Sequence, residues 1–184
     1  MKQWVSACIL VFSSLFVTLE AFAAAEAVRG FVTIHRGRDA GTRDLYVDYV
    51  PPKDSQPTVI LLNGLTYSTR QWDNFVTSLV EQGVGVLRYD FYGQGQTLLR
   101  YAPILGSISY EEQIDDLKSL LDTLDIKGPY NIAGLSYGGG IAAGFAVAYP
   151  SLVKNLILMA PFTRPLEGQD VWIRAQIWAT RQMF

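Results

Sequence analysis

The stretch Asn131-Ile132-Ala133-Gly134-Leu135-Ser136-Tyr137-Gly138-Gly139-Gly140 decides the fold of this 184-residue chain. It places Gly-x-Ser-x-Gly between an apolar run typical of a buried strand and an Ala/Gly-rich run typical of a helix, which lasts until Pro150. A serine at the apex of so sharp a turn must adopt a strained backbone with positive φ. Gly134 and Gly138 would let strand and helix approach each other. The pattern therefore predicts that Ser136 is a nucleophile raised above the sheet.

The start of the following helix predicts a second feature of a reactive centre. Backbone N–H groups at a helix N-terminus have no acceptor within the helix, and they favour negative charge. The Tyr137 N–H would therefore stabilise the oxyanion that develops when Ser136 attacks a carbonyl carbon. A Gly-rich loop without reactivity is the alternative interpretation of the same residues.

Apolar runs alternate with helical patterns along the rest of the chain. Two runs, 28–34 and 44–50, flank the turn residues 37–41 and predict a β-hairpin. Helices are predicted to begin at Ser68 and Ser109, because each serine is followed three residues later by Gln or Glu, as in a capping box. Further buried strands are predicted at 58–62, 84–89, up to 133 and at 156–159. This order predicts an α/β fold with a mostly parallel sheet.

The two predicted helices each have an apolar face. The first is expected to bury Trp72, Phe75, Val76 and Leu79, and the second Ile114, Leu117, Leu121 and Leu124. The charged residues Glu111, Asp115, Lys118 and Asp122 are expected to form the solvated face of the second helix.

The N-terminus predicts export. Lys2 precedes an apolar run over 4–19, and the small residues 21–25 that follow are spaced like a signal-peptidase site. We therefore predict a signal peptide over residues 1–24, a single domain over 25–184, and a secreted or periplasmic protein. The apolar run is shorter than the ~20 residues of a spanning helix, which leaves an uncleaved membrane anchor as the alternative.

The composition excludes several classes of function. The formal net charge is −2 and no basic run is present, so nucleic acid is not an expected partner. Cys8, the only cysteine, falls within the predicted signal peptide, and the chain has one histidine. We therefore expect no disulfide, no metal site and no cofactor.

Three motifs resemble those of the α/β-hydrolase superfamily and follow in its order along nearly all of the predicted domain. Residues 134–138 resemble the family's nucleophile elbow. Asn63-Gly64-Leu65 resembles the His-Gly-x segment after the third strand, with Asn63 in place of histidine. The loop from Asp90 to Gly95 is similar to the family's Asp-x-x-Gly-x-Gly loop after the fourth strand.

The resemblance implies roles for individual residues and a class of substrate. Ser136 would be the catalytic nucleophile, the backbone N–H groups of Leu65 and Tyr137 would form the oxyanion hole, and Asp90 would order its loop. The implied partner is a small-molecule ester, lipid or amide that is hydrolysed through an acyl-enzyme. Esterase or lipase activity is favoured, while acyltransferase, peptidase and cofactor-free peroxidase activities share the same elbow.

The family's later catalytic residues have no clear counterparts in this chain. The family places an acid and then a histidine after the serine, but no histidine follows Ser136. His35 falls in the predicted hairpin, and Glu167 and Asp170 are candidate acids after the sixth strand. The segment 171–184 begins as an aromatic amphipathic helix and ends without a cap. We therefore expect an incomplete fold that lacks its last strands and most of its cap region, with weak or no activity.

Two other functions remain open from the sequence. A non-catalytic binding protein would retain the elbow as architecture only. Alternatively, a partner or a second copy would complete the chain through its exposed sheet edge and its C-terminal aromatic segment.

Overall fold

The computed structural model describes residues 26–37, 41–101 and 108–163. The predicted signal peptide with Cys8, the hairpin turn at 38–40, and the C-terminal region 164–184 with Glu167 and Asp170 lie outside the described residues. Among the helices in the described part, none combines the length and the apolar character needed to cross a bilayer.

The described residues form six strands and four α-helices. The strands are β1 (Val28–His35), β2 (Thr42–Val50), β3 (Thr58–Leu62), β4 (Gly85–Tyr89), β5 (Tyr130–Leu135) and β6 (Val153–Met159). The helices are α1 (Asp73–Glu81), α2 (Gly95–Tyr101), α3 (Tyr110–Thr123) and α4 (Tyr137–Ala148), with short 3-10 helices at Thr69–Trp72 and Pro150–Leu152.

The strands form one sheet in the order β1-β2-β4-β3-β5-β6. β1 pairs antiparallel with β2, and β2 pairs antiparallel with β4, while β4, β3, β5 and β6 all run parallel. This confirms the predicted α/β fold with an N-terminal hairpin and a mostly parallel sheet. Because the parallel strands share one direction, the loops after β3, β4, β5 and β6 meet at one edge, here called the carboxyl edge.

Helices cover the two faces of the sheet and create two cores. α3 and α4 cover one face, where Leu120, Phe145 and the β5 residue Ile132 are at most 1% exposed. α1 and the 3-10 turn before it cover the other face, where Trp72 and the β3 residue Leu61 are 3% exposed. Successive strand residues point to opposite faces, so each parallel strand contributes to both cores.

The first helix differs from its prediction in two respects. Ser68 makes no side-chain capping bond, so the capping box predicted there is wrong. The Gln71 side chain instead accepts a hydrogen bond from the Gly64 N–H at 3.0 Å. Phe75, predicted to be buried, is 58% exposed. The segment starts as a four-residue 3-10 helix, Thr69–Trp72, and becomes α-helical at Asp73, which shifts the phase of its apolar positions.

The capping box predicted for α3 is present. The Glu112 N–H donates to Ser109 Oγ at 3.1 Å, and the Ser109 N–H donates to Glu112 Oε2 at 3.2 Å. Leu117 and Leu121 are fully buried on the inner face, and Asp122 is exposed on the outer face. Two N-terminal donors are thereby satisfied at the helix start.

A buried ion cluster attaches the hairpin to α3, and no sequence pattern predicted it. The fully buried Asp116 carboxylate accepts a hydrogen bond from Arg36 Nε at 2.8 Å and another from Arg43 Nη1. Arg36 also pairs with Glu112 at 2.8 Å, and the Arg43 guanidinium lies over the Tyr92 ring at 3.7 Å. Burial raises the pKa of Asp116, but both guanidinium groups favour its charged form, so it is ionised at neutral pH.

β6 forms the outer edge of the described sheet and carries apolar residues on both faces. Leu156 is 37% exposed, Ile157 is 58% exposed and Leu158 is 39% exposed. Successive strand residues face opposite sides, so within residues 26–163 neither face of β6 is fully covered.

Removing the charge of Asp116 tests the stabilising role of the ion cluster. We expect Asp116→Asn to lower the free energy of unfolding by about 3 kcal/mol, because it leaves two largely buried arginines short of a negative partner. Urea denaturation measures the change. Asp122→Asn, on the same helix, removes an exposed pair with Lys118 and is expected to change stability by less than about 0.5 kcal/mol. Equal small effects of the two substitutions would contradict the assigned role.

Candidate active site

Ser136 occupies the turn between β5 and α4 with the strained backbone that the sequence predicts. Its φ is 52° and its ψ is −112°, and strained conformations of this kind cost about 1–3 kcal/mol. The Ser136 N–H donates to the Met159 carbonyl at 2.9 Å, and the Ser136 carbonyl accepts from the N–H groups of Gly140 at 3.1 Å and Phe162 at 2.8 Å. β6 and α4 therefore hold the turn from both sides.

Two glycines allow the close approach at this turn. A Cβ atom on Gly134 would lie 2.4 Å from the Gly138 carbonyl oxygen, and one on Gly138 would lie 2.4 Å from the Leu62 oxygen and 2.6 Å from the Asn63 oxygen. Real Cβ atoms do not approach within 3.0 Å of such atoms. The first turn of α4 therefore packs directly against the end of β3.

The loop after β3 lies beside the elbow and contains Leu65, the predicted second donor. Asn63 is fully buried, and its Nδ2 donates to the Tyr67 carbonyl at 2.9 Å. A Cβ on Gly64 would lie 3.8 Å from the Leu135 carbonyl oxygen, which places the loop next to the residue before Ser136. The structure thus places Leu65 and Ser136 at the same edge, in the segments that directly follow the neighbouring strands β3 and β5.

Asp90 orders the loop after β4, as the sequence analysis expects. Its carboxylate accepts hydrogen bonds from the N–H groups of Thr69 at 2.6 Å and Gln96 at 2.7 Å. Its carbonyl accepts from Thr97 Oγ1 at 2.8 Å. Burial raises the pKa of Asp90, while these backbone donors favour the charged form. The carboxylate connects this loop to the segment that follows the loop after β3.

The side chain next to Ser136 is part of an aromatic cluster. Tyr137 is 8% exposed and packs against Tyr110, with ring centroids 4.9 Å apart, and against Phe91 at 5.7 Å. Burial raises the pKa of Tyr110 to about 12 and that of Tyr137 further. Both phenols are therefore neutral at physiological pH and do not supply a phenolate base.

Three strained residues other than glycine lie at the carboxyl edge. Thr66 follows β3 with φ 68°, Ser136 follows β5 with φ 52°, and Ala160 follows β6 with φ 43°. A β-branched residue such as Thr66 rarely adopts positive φ. Strain of this kind concentrates at functional sites, and here it is found at the predicted nucleophile and in the segments that follow the two strands flanking β5.

β1 runs parallel to β4, so His35 lies towards the same edge of the sheet as Ser136 but far from it across the sheet. His35 ends β1, which is separated from β5 by three intervening strands. At about 4.8 Å per strand spacing, the two strands lie ~19 Å apart across the sheet. In the described part of the chain, no three His, Cys, Asp or Glu side chains are grouped as metal ligands would be.

Sequence reasoning missed two polar side chains at the site. Gln71 fits the capping-box pattern that begins at Ser68, and Gln94 stands between two glycines of the loop from Asp90 to Gly95, yet both contact the backbone of Gly64. The sequence shows only that Gln71 and Gln94 lie in or next to predicted loops, and this does not specify their hydrogen-bond partners.

Comparisons with known proteins agree with this geometry. A serine hydrolase-like protein of Dictyostelium discoideum is 28% identical over 128 residues, which cover 70% of this chain and 34% of that protein. An α/β-hydrolase enzyme from a Medee basin deep-sea metagenome library superposes with a TM-score of 0.55 at 35% identity, covering 63% of this chain and 40% of that one. A thermophilic esterase from Thermogutta terrifontis superposes with a TM-score of 0.65 at 26% identity, covering 76% and 48%.

These relatives are longer than the chain, which spans between 34% and 48% of their lengths. The family model described as Hydrolase_4, serine aminopeptidase S33, matches residues 53–183, well over half of the chain. The matched region contains the elbow, the loop after β3 and the loop after β4. This chain belongs to the Hydrolase_4 (serine aminopeptidase S33) family of α/β hydrolases.

Proposed function

We propose that this chain carries the nucleophile of a serine hydrolase that acts on ester or amide bonds of small molecules. The position of Ser136 is the main support: it lies on a strained turn at the carboxyl edge, directly before the N-terminus of α4. The first N–H groups of a helix have no intrahelical acceptor and can bind a developing negative charge. The names of the relatives support hydrolysis in general, and the elbow supports an acyl-enzyme.

In the proposed reaction, Ser136 Oγ attacks the carbonyl carbon of the substrate. The new C–O bond forms as the carbonyl electron pair moves onto oxygen, and the N–H groups of Leu65 and Tyr137 stabilise that oxyanion. The Ser136 proton passes to solvent, and the tetrahedral intermediate then breaks its bond to the leaving group, which takes up a proton from solvent as it departs as an alcohol or amine and leaves an acyl group on Ser136. Water hydrolyses the acyl-enzyme in a second, similar step.

The reaction requires an acceptor for the Ser136 proton, and the chain has no histidine after Ser136. The phenols of Tyr110 and Tyr137 are unsuited to this role because burial raises their pKa values. We therefore propose that the chain alone is weakly active. Enzymes deprived of their triad retain only ~10³-fold catalysis over water, which comes from the oxyanion hole and binding.

The exposed faces of β6 favour a second role, in which another polypeptide completes the sheet. We propose a second copy of this chain as the occupant. Leu156 is central in the strand, so antiparallel pairing about a two-fold axis sets Leu156 opposite its own copy and Asn155 opposite Ile157. This arrangement would pair the backbone N–H and C=O groups at the free edge of β6 in the described sheet, and it would set the apolar side chains of the two copies side by side.

Covalent labelling tests the nucleophile. We expect a fluorophosphonate probe to add one phosphonyl group to the folded wild-type chain and none to Ser136→Ala, as read by intact mass. Ser151→Ala, which changes an exposed serine beyond α4, serves as the matched control and should label like the wild type. A folded wild-type chain that remains unlabelled would instead support a non-catalytic binding protein.

Chemical rescue tests the missing base. We expect added imidazole to accelerate hydrolysis of an activated ester by wild type, because a general base typically contributes 10²–10⁴-fold, of which a free base recovers only part. The rate above the Ser136→Ala background is measured against imidazole concentration. If wild type and Ser136→Ala respond equally, the imidazole reaction occurs in solution and this mechanism is wrong.

Association tests the role of β6. We expect sedimentation velocity to show a dimer for the wild type at micromolar concentration, and Ile157→Lys to shift it towards monomer by placing a charge on the strand. Val147→Lys, at an 83% exposed apolar position on α4, is the matched control and should leave the dimer intact. A stable wild-type monomer would rule out the second copy, and a complex with a different polypeptide would replace it as the occupant.

A further inference from the structure

Two glutamine side chains hold the peptide units on either side of Gly64. The Gly64 N–H donates to Gln71 Oε1 at 3.0 Å. The Gln94 carboxamide fits two orientations: with Nε2 facing the loop it donates to the carbonyl oxygens of Gly64 and Tyr67, at 3.1 Å each, and with Oε1 in that place it accepts from Asn63 Nδ2 at 3.3 Å. We assign the first orientation, because it places a donor opposite two carbonyl oxygens. The Tyr67 N–H also donates to the Gly64 oxygen, at 3.2 Å.

The bond from Gln94 determines the direction of the Leu65 N–H. The Gly64 carbonyl and the Leu65 N–H belong to one planar trans peptide unit, so they point in opposite directions. A donor bound to the Gly64 oxygen therefore fixes the Leu65 N–H on the other side of the loop. If this peptide turned over, an oxygen would replace the N–H at the reactive centre and would repel a developing oxyanion.

Gln94 is itself held in place by its own loop. It is 6% exposed, and its N–H donates to the Phe91 carbonyl at 2.9 Å. The Asp90 carboxylate fixes the same loop through the N–H groups of Thr69 and Gln96. A Cβ on Gly95 would lie 2.1 Å from Asp90 Oδ2, so this loop packs without spare room. The loop after β4 is therefore a rigid support for the loop after β3.

The loop after β3 is strained and needs this support to keep its conformation. Thr66, with φ 68°, directly follows Leu65. Relaxation of this residue to an ordinary conformation would therefore lower the free energy of the segment. Hydrogen bonds on both sides of Gly64 oppose that relaxation.

We propose that Gln94 and Gln71 are positioning residues that lock the two peptide units flanking Gly64, Gln94 on the Gly64–Leu65 unit and Gln71 on the Asn63–Gly64 unit, so that the Leu65 N–H is directed to the reacting carbonyl. Gln94 acts as a donor and Gln71 as an acceptor. The catalytic purpose rests on the proposed oxyanion role of Leu65, whereas the lock itself is a property of the loop and can be measured without catalysis.

Amide hydrogen exchange tests the lock directly. In the folded chain, we expect Gln71→Met to raise the exchange rate of the Gly64 amide at least tenfold, because methionine offers no comparable acceptor. Gln71→Glu should retain the protection, since a carboxylate accepts the same bond. Gln94→Met and Gln94→Glu should both lower the 15N order parameter of Leu65, because neither side chain replaces the two donated bonds.

The rate of Ser136 labelling tests whether the lock supports the proposed oxyanion role of Leu65. We expect Gln94→Met to slow the maximal rate of Ser136 phosphonylation about 10- to 100-fold without an equal change in probe affinity, because oxyanion donors act on the transition state. Gln96→Met changes an exposed glutamine at the start of α2 and keeps its backbone bond to Asp90; it is the matched control and should label like the wild type. Thermal melting identifies any variant that has merely unfolded.

The two measurements separate the two hypotheses. If wild type is not labelled, the proposed function fails while exchange and order parameters still report on the lock. If Gly64 exchange is unchanged in Gln71→Met and the Leu65 order parameter is unchanged in Gln94→Met, both in folded protein, the lock is overturned. The lock is also overturned if Gln71→Glu and Gln71→Met change the exchange rate of the Gly64 amide equally.

Discussion

Backbone atoms at the start of α4 approach the end of β3 and the end of β5 more closely than any side chain would permit. This contact exists only because Gly134 and Gly138 lack a Cβ atom. It draws the helix N-terminus onto the carboxyl edge and forces the intervening Ser136 into positive φ. The strain at Ser136 and the placement of the Tyr137 N–H are thus two results of one steric condition.

The carboxyl edge is assembled from loops that follow different strands, and polar side chains join those loops. Asp90 reaches from the loop after β4 to the Thr69 N–H, and Gln94 reaches to the Gly64 carbonyl. Such bonds cross between segments that sequence separates by 20 to 30 residues. These hydrogen bonds restrain the loops relative to one another, which suits a function based on preorganised donors.

The sequence predicted the features that depend on local periodicity and backbone sterics. Strand and helix types follow from apolar spacing, and the strained turn at Ser136 follows from its two glycines. Phe75 was misassigned because a 3-10 turn before α1 changed the helical phase, which residue spacing does not reveal. The partners of Asp116 and Gln94 were missed because a hydrogen bond between distant segments has no local pattern in the chain.

The ion cluster that attaches the hairpin to α3 also has a consequence for synthesis. Arg36 and Arg43 precede their shared partner Asp116 by 80 and 73 residues. At about 5–20 residues per second, a ribosome needs about 4 to 16 seconds to add that length of chain. The hairpin therefore leaves the ribosome before the carboxylate that binds both of its arginines, so the contact that attaches it to α3 forms only after most of the described chain has been synthesised.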